Sequence, residues 1–245
     1  MTFRLLPSPP GAEAYLAVDK PAGVAVHGAG GLLGALRERF GAGLALVHRL
    51  DKETSGVLLL ARTPEALRAA LAAWPSRVTK TYLAVTRGVP KPPEGVIAAN
   101  LLEHRTGKPE LLRRALKAAY GASRAGHLLS GHRVGAIPPL PPPGRTAVHP
   151  AGRRAQTAYR ILEDRGEAAL VELRPGTGRM HQLRVHLAHL GTPVLGDPLY
   201  DAARTPQSPA PSLHLARLVW IDPPGSGGGA WTWEAALPGA RRVGP

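Results

Sequence analysis

His48-Arg49-Leu50-Asp51-Lys52-Glu53-Thr54-Ser55-Gly56 is the stretch on which the reading of this chain turns. Residues 44–47 run into it, and the apolar run 57–61 leaves it with the length of a buried strand. A charged turn is thus set between apolar segments, with His, Arg and Asp crowded beside surface that will be buried. Ionisable groups in such a place are either salt-bridged turn residues or groups positioned for use. Composition alone leaves both readings open.

Working outward, residues 1–12 read as an irregular lead-in broken by Pro7, Pro9, Pro10 and Gly11. Residues 15–18 read as a strand and 24–27 as a second, ended by a turn at 28–31. Residues 32–40 can form a helix with Leu32, Leu33 and Leu36 on one face. Beyond the charged turn, Thr63 is an N-cap with Pro64 at the first helical position and Glu65 in the first turn. That helix is expected to reach about Trp74 and stop before Pro75. Residues 80–87, Lys-Thr-Tyr-Leu-Ala-Val-Thr-Arg, form a clear strand pattern. Strands follow at 155–162 and 168–174. A helix is expected at 179–190, with Met180, Leu183, Leu187 and Leu190 as its apolar stripe and Gly191 as its cap. The last strands fall at 213–221 and 231–235, with a glycine turn at 225–229. Strands with interspersed helices define an α+β class.

Bulk composition bounds the function. Lys and Arg number 31 against 17 Asp and Glu, a formal net charge of +14 over 245 residues. A globular chain this basic usually meets a polyanion, RNA or DNA first; an Arg-rich proteome is the plain alternative. Cys is absent, which excludes disulfides and thiolate metal sites. No apolar run is long enough to span a membrane, and the N-terminus is too short and Pro-rich for a signal peptide, so a cytoplasmic location is the default. Between His104 and Arg154 there are ten Lys or Arg and one acid, Glu110. This segment, with the Pro-rich run 138–144, reads as an insertion: a short helix near 110–120, then an arm that is either solvated and disordered or grips RNA backbone.

The signature quoted first resembles, residue for residue, that of the RluA family of RNA pseudouridine synthases. Three further segments resemble the same family in the same order. They are Asp19-Lys20-Pro21-Ala22-Gly23-Val24, then Lys80-Thr81-Tyr82-Leu83-Ala84-Val85-Thr86-Arg87-Gly88, then Thr177-Gly178-Arg179-Met180-His181-Gln182-Leu183-Arg184-Val185-His186, the last continued by Gly196-Asp197-Pro198-Leu199-Tyr200. The likeness covers about residues 13–235. It implies a pseudouridine synthase fold, a mixed and largely antiparallel sheet with a central catalytic cleft and flanking helices. It implies one catalytic domain over 13–240 carrying the basic insertion of about 104–154. An N-terminal S4 RNA-binding domain, carried by many relatives, is not expected.

The implied reaction breaks the N1–C1′ bond of a uridine within structured rRNA or tRNA, turns the uracil and joins C5 to C1′, without cofactor or metal. Asp51 is then the essential carboxylate, as nucleophile or as the base that takes a ribose proton. Arg184 is expected to pair with it and keep it ionised. Tyr82 is expected to stack on the uracil or to accept the C5 proton. The target base must leave the RNA stack. Arg49 is expected to fill its place, with His48 supporting the loop and Leu50 and Thr54 contributing to substrate binding. Thr177-Gly178-Arg179 would open a helix whose N-terminus suits a phosphate, or Thr177 merely caps it. Arg179, His181 and Gln182 are then RNA contacts or supports for them. RNA is the one partner expected of a monomer.

Three other readings compete. A metal at His181, His186 and His189 finds no Cys and no His-Glu-x-x-His pattern to support it. A glycoside hydrolase needs two working carboxylates, and Glu53 is a weak second. A non-catalytic RNA-binding protein of the same fold fits the charge equally, but gains nothing from a carboxylate beside RNA phosphates.

Overall fold

The computed structural model of the chain describes residues 3–238. The chain folds as two compact units. One is built from residues up to Ala84 together with Pro211 onward, the other from Val85–Ala210.

The first unit contains β1 (Arg4–Leu5), β2 (Tyr15–Lys20), α1 (Leu32–Phe40), β3 (Ala45–Leu46), β4 (Ser55–Ala61), α2 (Pro64–Arg77) and the start of β5 (Val78–Arg87), which runs on into the second unit. The second holds β6 (Glu94–Glu103), α3 (Pro109–Leu129), β7 (Thr146–Val148), β8 (Arg153–Asp164), β9 (Ala168–Pro175) and α4 (Gln182–His189). The chain then returns to the first unit with β10 (Leu213–Ile221) and β11 (Ala230–Glu234). The architecture is α+β with a largely antiparallel sheet, the class expected from the sequence.

In the first unit the strand order is β1-β2-β4-β10-β5, with β3 also on β4 and β11 on β10. Its parallel pair is β4 with β10, His214 opposite Ser55 and Leu215 opposite Gly56. All seven residues of β4 are buried, as the continuous apolar run 57–61 requires of a strand covered on both faces. Tyr15, Trp220 and Trp231 pack edge to face with ring centroids 5.4–5.8 Å apart, an arrangement aromatic quadrupoles favour. α2 is capped as its sequence demands: Thr63 Oγ1 accepts the Ala66 N–H at 3.2 Å and Pro64 opens the helix.

Several expectations are corrected here. Residues 24–27 form no strand. The Val24 carbonyl accepts from Lys20 Nζ, and those of Ala25 and Val26 accept the first amides of α1, so the segment serves a helix rather than a ladder. α2 does not stop before Pro75 but continues to Arg77, since a proline near the last turn removes one hydrogen bond without ending the element. Arg4–Leu5 breaks the irregular lead-in with a two-residue strand on β2. Residues 1–2 of that lead-in, and 239–240 at the far limit expected for the catalytic domain, lie outside the described residues.

In the second unit β9-β8-β6-β7 are consecutive antiparallel neighbours. β8 alternates as a half-buried strand should, with Ala155, Thr157 and Tyr159 inward. The expected short helix near 110–120 is the first part of α3, which kinks at Gly121 (φ 79°, ψ 168°) and resumes to Leu129. Residues 138–144 carry no regular structure, as their prolines dictate. The insertion nevertheless has a core of its own: Leu112, Leu116, Ala125 and Leu128 pack on Leu102, with Val134, Ile137 and Leu140 against them.

Candidate active site

In the first unit the signature segment is the loop that enters β4. Lys20, fully buried at the end of β2, donates its ammonium protons to the carbonyls of Pro21 (2.8 Å), Val24 (2.7 Å) and Lys52 (3.0 Å). Three acceptors match three N–H donors, so this one side chain ties the loop after β2 to the loop that carries Asp51. Burial pulls its pKa down to about 8, while the charges of Glu53 and Asp51 act in the opposite direction. The Thr54 N–H closes the turn onto the Asp51 carbonyl at 3.1 Å. Leu50 and Thr54 are buried, Asp51 is half-buried, and Arg49 is exposed and makes no ion pair among the described residues. Gly56, at φ 108°, ends the signature for a steric reason. A Cβ there would sit 2.2 Å from the Leu215 carbonyl oxygen.

His48 stacks on Trp74 with centroids 5.0 Å apart, and Lys80 Nζ lies 5.4 Å from the same indole. Its Nε2 accepts the Leu59 N–H at 3.1 Å, which leaves the ring proton on Nδ1. Burial and then the Lys80 charge push its pKa down to about 3, so it is a neutral support of the loop. Tyr82, in β5 opposite Leu215, is only 9% exposed. Burial, and secondarily the negative charge of Asp51, raise its phenol pKa. Asp51 and Tyr82 therefore share one electrostatic environment inside one unit.

In the second unit α4 begins at Gln182, later than expected, because His181 sits at φ 54°, a left-handed backbone that ordinary residues rarely adopt. The amide of Gln182 fills its four hydrogen-bonding positions within the protein: Oε1 accepts from Arg179 N–H and Thr177 Oγ1, and Nε2 donates to Gln156 O and Thr157 Oγ1. Arg179 is half-buried and donates to the Arg154 carbonyl at 3.3 Å. The expected apolar stripe is too narrow a description of α4, whose residues 182–187 are all buried. Its polar members keep partners, His186 Nδ1 lying 2.9 Å from Thr157 Oγ1.

Arg184 is buried and held bidentately by Asp197, Nε to Oδ2 at 2.6 Å and Nη2 to Oδ1 at 2.7 Å. Its guanidinium carbon lies 5.1 Å from the centre of the Tyr200 ring. Tyr200 Oη is 2.8 Å from His181 Nδ1 and accepts the Thr146 N–H at 3.0 Å. Gly196 must be glycine, since a Cβ would meet the Pro209 carbonyl at 2.0 Å. Lys20, Asp197 and Tyr200 lie within the sequence motifs, yet no role for them follows from sequence. Their signal is present, an acid one residue after a glycine and three before a tyrosine, but only the fold shows what they hold. Among the described residues no three His, Asp or Glu side chains converge as metal ligands.

Residues 14–189 match the family model described as RNA pseudouridylate synthase. An RNA pseudouridine synthase of Chloroflexus aurantiacus is 36% identical over 212 residues, covering 81% of this chain and 54% of its own length. Ribosomal large subunit pseudouridine synthase C of Vibrio cholerae is 33% identical over 224 residues, 85% of this chain and 59% of its own. The solved structure of human RNA pseudouridylate synthase domain containing 4 aligns with a TM-score of 0.67 at 25% identity, over 96% of this chain and 88% of that one. These likenesses define a class, the RNA pseudouridine synthases. The chain belongs to that family, in the RluA group whose motifs it carries. It spans little more than half the length of the two curated relatives just described.

Proposed function

We propose that this chain isomerises uridines in structured RNA to pseudouridine, with Asp51 as the working carboxylate. The observation that carries the reading is the signature loop, pinned by Lys20 across three carbonyls, which sets Asp51 in the same unit as the buried Tyr82, whose phenol pKa is raised by burial and then by the Asp51 charge. A neutral ring of that kind suits stacking against an extruded uracil better than proton removal at C5. Arg184, held rigid by Asp197, is the cation assigned to keep Asp51 ionised. Arg49 is assigned to the space left by the flipped base, His48 and Gln182 to supporting the loops, and Arg179 and His181 to the RNA.

Ribosomal RNA is the first substrate to test, on the strength of the large-subunit relative from Vibrio cholerae. Transfer RNA is the alternative. The same proposal takes the chain to act in the cytoplasm as a monomer, without cofactor or obligate protein partner. The test is Asp51→Asn on uridine-containing transcripts, with pseudouridine read by carbodiimide adducts and reverse-transcription stops. Loss beyond about 10²-fold is expected for removal of an ionised group acting at the reacting centre. Isomerisation retained by the variant overturns the assignment. Mapping total RNA from cells with the wild-type or the Asn form separates ribosomal from transfer targets.

A further inference from the structure

We propose that the outward face of α3, presenting Arg113, Arg114, Lys117 and Arg124, is a docking surface for the phosphate backbone of RNA. This rests on the RNA reading above and narrows it to one helix. The inward face is already settled: Leu112, Leu116, Ala125 and Leu128 are buried in the insertion's own core. All four cations are exposed.

Their density on one helix sets them apart. Elsewhere on this Arg-rich chain many exposed arginines sit against carboxylates, as in Arg68–Glu65, Arg77–Asp222, Arg165–Glu163 and Arg217–Glu234, and others such as Arg39, Arg49 and Arg62 are exposed without one. Compositional bias alone would scatter acids among the insertion's cations in the same way. Yet none of the four makes an ion pair among the described residues. Glu110, three and four positions before Arg113 and Arg114, has the spacing for a helical ion pair and forms none. Like charges at neighbouring helical positions repel; the phosphates of a polyanion neutralise them, and the counterions it sheds on binding add to the affinity. A lipid surface would need an apolar helix face to insert, and Leu112, Leu116, Ala125 and Leu128 of α3 are buried against protein, which leaves only Leu111 and Leu129 exposed at its two ends. The kink at Gly121 sets Arg124 on a second helical segment, so the charges are carried by two ordered pieces rather than a loose arm.

The test uses the full chain carrying Arg113→Gln, Arg114→Gln, Lys117→Gln and Arg124→Gln. The probe is an RNA hairpin of G·C pairs only, which contains no uridine and so reports binding without chemistry. The slope of log K against log salt is expected to shrink by about three, with affinity at low salt falling at least about tenfold. A control with Arg68, Arg77, Arg165 and Arg217 changed to Gln removes equal charge and is expected to leave the slope near the wild-type value. An unchanged slope in the α3 variant overturns the proposal. So does an equal loss in the control, or loss of binding to anionic phosphatidylglycerol vesicles with RNA binding intact. If the fourfold variant melts early, Lys117→Gln and Arg124→Gln singly are each expected to lower the slope by about one. Asp51→Asn is run beside them: hairpin binding retained without isomerisation of a uridine transcript isolates the docking surface from the catalytic assignment.

Discussion

Arg184 and Asp197 show how much a single side chain can hold. Both are buried, at 5% and 0% side-chain exposure, and joined by two short charge-assisted bonds. Asp197 also accepts the amides of Leu199 and Tyr200, so it organises the turn that brings the Tyr200 ring over the guanidinium. Breaking a buried, doubly bonded pair by removing one partner typically costs about 3–5 kcal/mol. Asp197→Asn is expected to lower the urea-unfolding free energy by that amount. Glu163→Gln, which breaks the exposed pair with Arg165, is expected to cost under about 1 kcal/mol. A similar small loss in both variants would mean that Asp197 does not organise Arg184. The sequence placed Arg184 within the C-terminal motif. It could not show Asp197 as its partner, because that contact joins α4 to a turn thirteen residues on.

At the scale of elements, local chemistry was legible wherever the backbone acted alone. Thr63-Pro64-Glu65 announced α2, and the apolar run 57–61 announced β4. β6 escaped notice for a physical reason. Its residues, Glu-Gly-Val-Ile-Ala-Ala-Asn-Leu-Leu-Glu, include poor strand formers, and the strand is made by eight register pairs with β8. The start of α4 was misjudged because nothing in Arg179-Met180-His181 signals a left-handed residue. Gly56 is the converse, a motif residue whose identity the fold explains. It meets Leu215 where β4 runs parallel to β10, and its φ of 108° is closed to a side chain. Gly56→Ala is expected to destabilise by more than about 2 kcal/mol, combining backbone strain with the collision at Leu215. A thermal melt within a degree or two of wild type would show that β10 can retreat without loss.

For the whole molecule, acid is the revealing perturbation. Burial holds His48 near a pKa of about 3 and His186 near about 4, and it lowers His149 and His214 as well. An unfolded chain protonates the same rings near 6.5. Between that value and the folded ones, the unfolded state binds more protons. Stability is therefore full above about pH 6.5 and falls as pH drops toward 4. Urea midpoints are expected to decline from pH 7 to 4.5, and His48→Gln is expected to flatten that decline. A decline of unchanged steepness in His48→Gln would place the titration elsewhere. The basic balance of +14 was plain from composition. Which cations stand without acids was not, because pairing depends on contacts between distant segments such as Arg77 and Asp222.

The discontinuity of the first unit has a consequence for biosynthesis. β10, which lies between β4 and β5 and backs Gly56, is translated only after every residue of the other unit has been made. A nascent chain that has reached residue 210 already contains Asp51, Tyr82 and Arg184, yet it lacks the strand against which the signature loop is set. Setting the signature loop against its neighbouring strand thus waits until residues 213–221 have been made, although the loop itself is translated early.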